Sequence, residues 1–153
     1  MLFRSRADAS PYAILIDDVE HSDGGKEHDF GLSLHTHPAN KLTISGISAS
    51  LIAPKARLDI HLGMPKPMAM KETKFGPYPS LQLSQKSPRL LSVMLLHPRR
   101  ENEAKAEFQA RQEGDGMEAT VRIGSVTHKY RFDIAKRPNI TAGDERIIVK
   151  RLA

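Results

Sequence analysis

Along most of this chain apolar residues recur at every second position, the period of a strand with one buried and one wetted face. His28, Phe30, Leu32 and Leu34 share one side of such a segment, leaving Asp29, Gly31, Ser33 and His35 on the other. Leu42 and Ile44, then Ile47, Ala49 and Leu51, continue the alternation around Gly46, where a turn or bulge is expected. In Arg57–Met64 the pattern places Leu58, Ile60 and Leu62 inward and Arg57, Asp59 and His61 outward. Leu90–Leu96 is apolar on both sides except at Ser92, as in a central strand covered on each face. Tyr12–Ile16 is another buried run. It ends in Asp17 and Asp18, and a turn over Ser22–Lys26 leads into His28–His35, so these segments read as a hairpin.

The second half continues in the same way. Arg99–Glu113 favours helix by composition, but Ala106, Phe108 and Ala110 fit a strand, and Gly114-Asp115-Gly116 would join it to Met117–Ile123 as a hairpin. Strand is therefore the expectation. Ile123-Gly124-Ser125-Val126 separates two alternating segments with a pair suited to a II′ turn. Val126, His128, Tyr130 and Phe132 return along one face, with Thr127, Lys129 and Arg131 opposite. Gly63–Pro79 carries four prolines and reads as a long connection, and Lys136–Asp144 as a loop before a last strand over Arg146–Leu152. No internal repeat or low-complexity tract occurs. The pattern predicts an all-β fold: one domain over residues 1–153, an antiparallel β-sandwich of about ten strands.

Composition narrows the partners. A chain of 153 residues can bury about 70% of its unfolded surface, enough to fold alone. With 23 Lys+Arg against 18 Asp+Glu the net charge is +5, which favours anionic partners, but no basic block points to nucleic acid. The absence of cysteine rules out disulfides and thiol chemistry. No run of apolar residues is long enough to span a membrane as a helix. The segment MLFRSRADAS lacks the apolar core of a secretory signal, so localisation stays open. Aromatics make up 5% of the chain and Trp is absent, which leaves few platforms for stacking on sugar rings.

Candidate chemistry centres on histidines and on basic strand faces. His35 and His37 lie two apart at a strand end, so they share a face, and His61 or Asp59 from a neighbouring strand would complete a three-ligand site for a divalent metal such as zinc, with His35, His37 and His61 the set of choice. Exposed strand-end histidines closed by Pro38 are the plainer reading and outweigh it. A cupin-like metal barrel fits poorly. The glycine five residues before the first histidine is missing, no Glu follows in Pro38–Lys41, and no second box appears near His61 or His97. His28 and His128, on apolar faces, read as satisfied core residues, and His97 as a cap at the sheet edge. Asp17 and Asp18, where not solvated, need a partner such as Arg57, Lys41 or a backbone turn N–H; the oxygen-ligand spacing of a calcium loop is absent, so structural pairing is the expectation. Arg122, Lys129 and Arg131 occupy outward positions on adjacent strands, where they would gather charge for uronate or sulfate groups; a solvated face explains them equally well. Asn139-Ile140-Thr141 matches a glycosylation acceptor.

The segments PYAILIDDVEHSDGGKEHDFGLSLHTHP at Pro11–Pro38 and SPRLLSVMLLHP at Ser87–Pro98 carry a further signal. Together they resemble the C-terminal β-sandwich of the heparinase II/III-like polysaccharide lyases, in which a "pYvlviDdi" strand, an "H-x-aromatic-x-x-x-x-H" strand and an "lLhP" strand follow in this order. The resemblance covers about the first two thirds of the chain. It implies a module or fragment of a larger enzyme in which a helical toroid precedes the sandwich and cleaves uronate-containing polysaccharide by β-elimination, in the periplasm or outside the cell. The family's catalytic tyrosine belongs to the toroid, and its sandwich histidine and zinc ligands to upstream segments, so no catalytic residue and no cofactor carries over. The expectation is a module inactive alone, which supports a toroid lyase domain or binds acidic polysaccharide.

Overall fold

The structure is a computed structural model that describes residues 2–4, 10–20, 25–63, 68–113, 116–133 and 148–152. Every described element is a strand, and every strand pairing is antiparallel. The largest sheet has six strands. They are β1 (Leu2–Arg4), β2 (Ala13–Glu20), β4 (Lys41–Ser45), β5 (Ser48–Ala53), β6 (Ala56–Gly63) and β9 (Arg89–Arg99), in the order β1-β2-β9-β6-β5-β4. A three-stranded sheet runs β3-β8-β7, from His28–His35, Tyr78–Ser87 and Ala69–Phe75 respectively. A four-stranded sheet runs β10-β11-β12-β13, from Ala106–Glu113, Gly116–Ile123, Val126–Asp133 and Ile148–Leu152.

The large sheet is the middle layer, because its inner strands are apolar on both faces. On one face Ile14, Ile16, Val93 and Leu95 pack against Ala106, Met117, Ala119, Val121, Tyr130 and Phe132 of the four-stranded sheet. On the other, Leu62, Ile60, Leu90 and Met94 pack against Leu81 and Leu83 of the three-stranded sheet, with Leu15, Phe30, Leu32 and Leu34 at the margins. The fold is thus an all-β sandwich of three layers, with thirteen strands among the described residues rather than about ten. Gly63 permits a close approach between two of the layers. A Cβ there would lie 2.6 Å from Phe108 Cε1 and 2.8 Å from the Ala110 Cβ, so only glycine lets β10 seat on β6.

Three sequence expectations change. The Tyr12–His35 hairpin does not form, since β2 pairs with β1 and β9 whereas β3 pairs with β8 in another layer. The reason is burial: β2 is apolar on both sides and needs a central position, while β3 is apolar on one side and suits a covering sheet. Gly63–Pro79 is not a long connection, because Ala69–Phe75 is an edge strand hairpinned onto β8 through Gly76-Pro77. Its alternation is hidden by Lys71, Glu72 and Lys74, charges typical of a strand edge. Leu2–Arg4 adds an unanticipated edge strand. The expected β10–β11 hairpin does form. So does the turn at Gly124, whose φ of +59, with no positive φ at Ser125, matches II′ and excludes I′. The glycosylation acceptor and the start of the predicted last strand lie outside the described residues.

Candidate functional site

The four-stranded sheet turns Met117, Ala119 and Val121 toward the core, which by alternation sends Glu118, Thr120 and Arg122 outward. Opposite them in β12 stand Arg131, Lys129 and Thr127, so Arg122, Lys129 and Arg131 do share one outer face, with Arg111 from β10 joining them. Acidic groups are interleaved. Glu118 accepts from Arg111 at 2.7 Å and lies 3.9 Å from Arg131, and Arg122 is 3.6 Å from Glu107. Beside this face, between β10 and the middle sheet, lies a groove of about 570 Å³. Its apolar lining is Ile47, Leu62, Phe108 and Ala110, and Arg111, Glu118 and Lys129 stand over it.

A polar row crosses the middle sheet, exposed at Thr43, half-buried at Ser50 and buried at Asp59 and His97. Strand register places Thr43, Ser50, Asp59 and His97 side by side across β4, β5, β6 and β9. Asp59, expected to face outward, is 4% exposed, because the face it occupies is covered by the second layer. Its Oδ1 accepts from Ser50 Oγ at 2.6 Å and Arg57 Nε at 2.9 Å, and its Oδ2 accepts from Arg99 Nε at 2.5 Å. Arg99 also donates to the carbonyls of Arg100, Glu101 and Glu103, which ties down the loop after β9. Burial opposes ionisation of Asp59, but the Ser50 hydroxyl and the Arg99 and Arg57 guanidiniums outweigh it and hold the carboxyl below its usual range. With three donors bound and two guanidiniums beside it, this carboxylate is an anchor rather than a free general base. Sequence reasoning missed the cluster; the signal available was a polar residue on every second position of β6 next to a strand that is apolar on both faces.

Two histidines adjoin it. His61 Nδ1 lies 3.0 Å from Ser48 Oγ, and its Nε2 is buried with no hydrogen-bond partner among the described residues. His97 is fully buried, and among the described residues neither ring nitrogen has a hydrogen-bond partner. It is thus an interior group rather than a cap at the sheet edge. Burial pushes both imidazoles below their ordinary value, with Asp59 pulling them back up and Arg99 pushing further down. His128 is the satisfied core residue expected: Tyr12 Oη lies 2.6 Å from its Nδ1 and 2.5 Å from Tyr130 Oη, joining β12 to the segment before β2.

The grouped ligands His35, His37 and His61 are not brought together. His35 lies on the outer face of the three-stranded sheet, bonded to Ser80 at 2.7 Å, while His61 lies on the far face of the middle sheet. His37, beyond β3, accepts from the Ala39 N–H at 3.2 Å. Among the described residues no three His, Cys, Asp or Glu side chains are placed to hold a metal ion. Asp18 finds its partner in Arg89 rather than Arg57 or Lys41, with Nε and Nη2 donating to its two oxygens at 2.6 and 2.5 Å. Among the described residues no helix is long and apolar enough to cross a membrane. In comparisons with known proteins, no family model, curated protein or solved structure gives a significant match to the chain.

Proposed function

We propose that this chain is a non-catalytic β-sandwich module of the heparinase II/III-like type, which binds acidic polysaccharide beside a toroid lyase domain. The observation that carries the reading is the convergence of Arg111, Arg122, Lys129 and Arg131 on one outer sheet face, where Arg111 and Lys129 also border the Phe108 groove. Uronate or sulfate groups would compete with Glu107 and Glu118 for these guanidiniums, so the attraction is modest and screened by salt beyond about 8 Å. Tyr12 and Tyr130, the tyrosines nearest a histidine, are 2% exposed and hydrogen-bonded to each other, which suits packing better than acid–base chemistry on a polymer.

The test is retention on a heparin column at low salt, compared with a variant carrying Arg122→Gln, Lys129→Gln and Arg131→Gln. Loss of retention with an unchanged circular dichroism spectrum supports the reading; unchanged retention overturns it. Incubation with heparin, alginate or hyaluronan is expected to give no rise in ultraviolet absorbance from unsaturated uronate.

A further inference from the structure

The outer face of the three-stranded sheet bears a second constellation. Strand register sets Phe75 opposite Tyr78, Thr73 opposite Ser80 and His35, and Lys71 opposite Gln82 and Ser33, all on the side away from Leu81 and Leu83. Phe75 is 69% exposed and Tyr78 44%, high values for rings of this size on a sheet face. The His35 ring lies 5.3 Å from that of Phe75, extending the aromatic surface across all three strands. Hydrogen bonds hold this end rigid. Ser80 Oγ donates to the Tyr78 carbonyl at 3.2 Å, so its 2.7 Å bond to His35 is received from Nδ1–H, which leaves Nε2 as the free acceptor. Thr73 Oγ1 donates to the Ser80 carbonyl at 3.4 Å.

We infer that this face is a stacking platform for an oligosaccharide containing uronate. The apolar C–H face of a sugar ring would lie on Phe75 and Tyr78, its hydroxyls would reach His35 Nε2, and the carboxylate of a uronate further along the same oligosaccharide would meet Lys71. From the aromatic row to the Lys71 row is about 13 Å along the strands, room for a short run of sugars. Two features favour a sugar over a protein partner. Beyond the rings the uncharged outward side chains of this sheet are mostly hydroxyl and amide, from Thr73 and Ser80 beside the rings and Ser33, Gln82 and Ser84 further along, with Ala69 the lone aliphatic side chain. Protein interface cores instead cluster apolar and aromatic groups. The charges of the face are Lys71 and Lys86 against Asp29, complementary to an acidic chain. The inference rests on the polysaccharide reading above but uses none of its residues.

Acrylamide quenching of tyrosine fluorescence isolates the site, because the chain lacks Trp and has three tyrosines, two of which, Tyr12 and Tyr130, are buried. An alginate hexasaccharide is expected to shield Tyr78, and Phe75→Ala to weaken its binding about threefold to tenfold. Being exposed, Phe75 can be removed without loss of fold, which a thermal melt checks. Shielding must survive in the Arg122, Lys129 and Arg131 triple variant, which separates the two faces. Unchanged quenching at saturating hexasaccharide, or equal binding by Phe75→Ala, overturns the inference. A concentration-dependent dimer that Phe75→Ala abolishes would also overturn it, in favour of a second copy of this chain.

Discussion

Strand β9 is held at both ends by an arginine–aspartate pair, and the two pairs differ in what covers them and in the partners gathered around them. At its start Arg89 reaches Asp18 with side chains 46% and 13% exposed. At its end Arg99 reaches Asp59 with side chains 1% and 6% exposed, and Arg57, Ser50 and three backbone carbonyls complete the set. The first pair trades water for an ion contact and gains little. The second is committed: once β10 closes over β6, each charge depends on the other, because no water can replace a lost partner. Identical chemistry on one strand therefore has two energetic meanings, and the layer above decides which.

The comparison can be broken most directly at Asp59. Asp59→Ala leaves the Arg99 guanidinium buried without its carboxylate, and a loss of about 3–5 kcal/mol is expected in urea unfolding. A cost no greater than that of Asp18→Ala would make the two ends equivalent, with burial adding nothing to the second pair. Gly63→Val attacks the cover instead. Its side chain would drive Phe108 and Ala110 off β6, costing about 1–3 kcal/mol and opening the polar row to solvent, which hydrogen exchange at β6 amides would register.

Acid should sharpen the contrast with a smaller effect. Burial holds His61 and His97 below their ordinary 6.5, so the unfolded chain takes up protons that the folded chain refuses. Stability is then full above about pH 6.5 and falls as pH drops through that value. Because Asp59 sits below 3.8, a further loss follows on acidification past that point. Unfolding midpoints measured at about pH 7.5 and about pH 5 should differ in the native chain and differ less in His61→Gln. The smallest effect belongs to Asp18→Ala, which removes a half-exposed pair at a cost of at most about 1 kcal/mol, lessened further by added salt.

Much of the fold was legible because alternation is a local property. The strands His28–His35 and Val126–Phe132 and the Gly124-Ser125 turn needed no distant partner to be read, and neither did the two-sided burial of Leu90–Leu96. The edge strand Ala69–Phe75 was not legible: its charges and flanking prolines mimic a loop, and only pairing with Tyr78–Ser87 makes it a strand. For the same reason the shared face of Phe75, Tyr78 and His35 was invisible, since it depends on a register between three separate segments. The outward placement of Arg122, Lys129 and Arg131 followed from period alone, but the ion pairs of Arg122 with Glu107 and of Arg131 with Glu118 did not. The proposed histidine triad failed because spacing along a strand fixes which face a residue takes within its own sheet and says nothing about which sheet lies next to it.

By itself, then, the sequence determined that this chain is built of alternating strands, which faces are apolar, and where tight turns reverse it. These follow from side-chain period and backbone sterics within a few residues. Only the tertiary structure decided that there are three layers, that Tyr12–Ile16 and His28–His35 part company, and that Asp59 and His97 are interior while Phe75 and Tyr78 are not. Burial depends on which surface comes to rest on which, and that is settled by long-range packing of whole sheets rather than by any single segment.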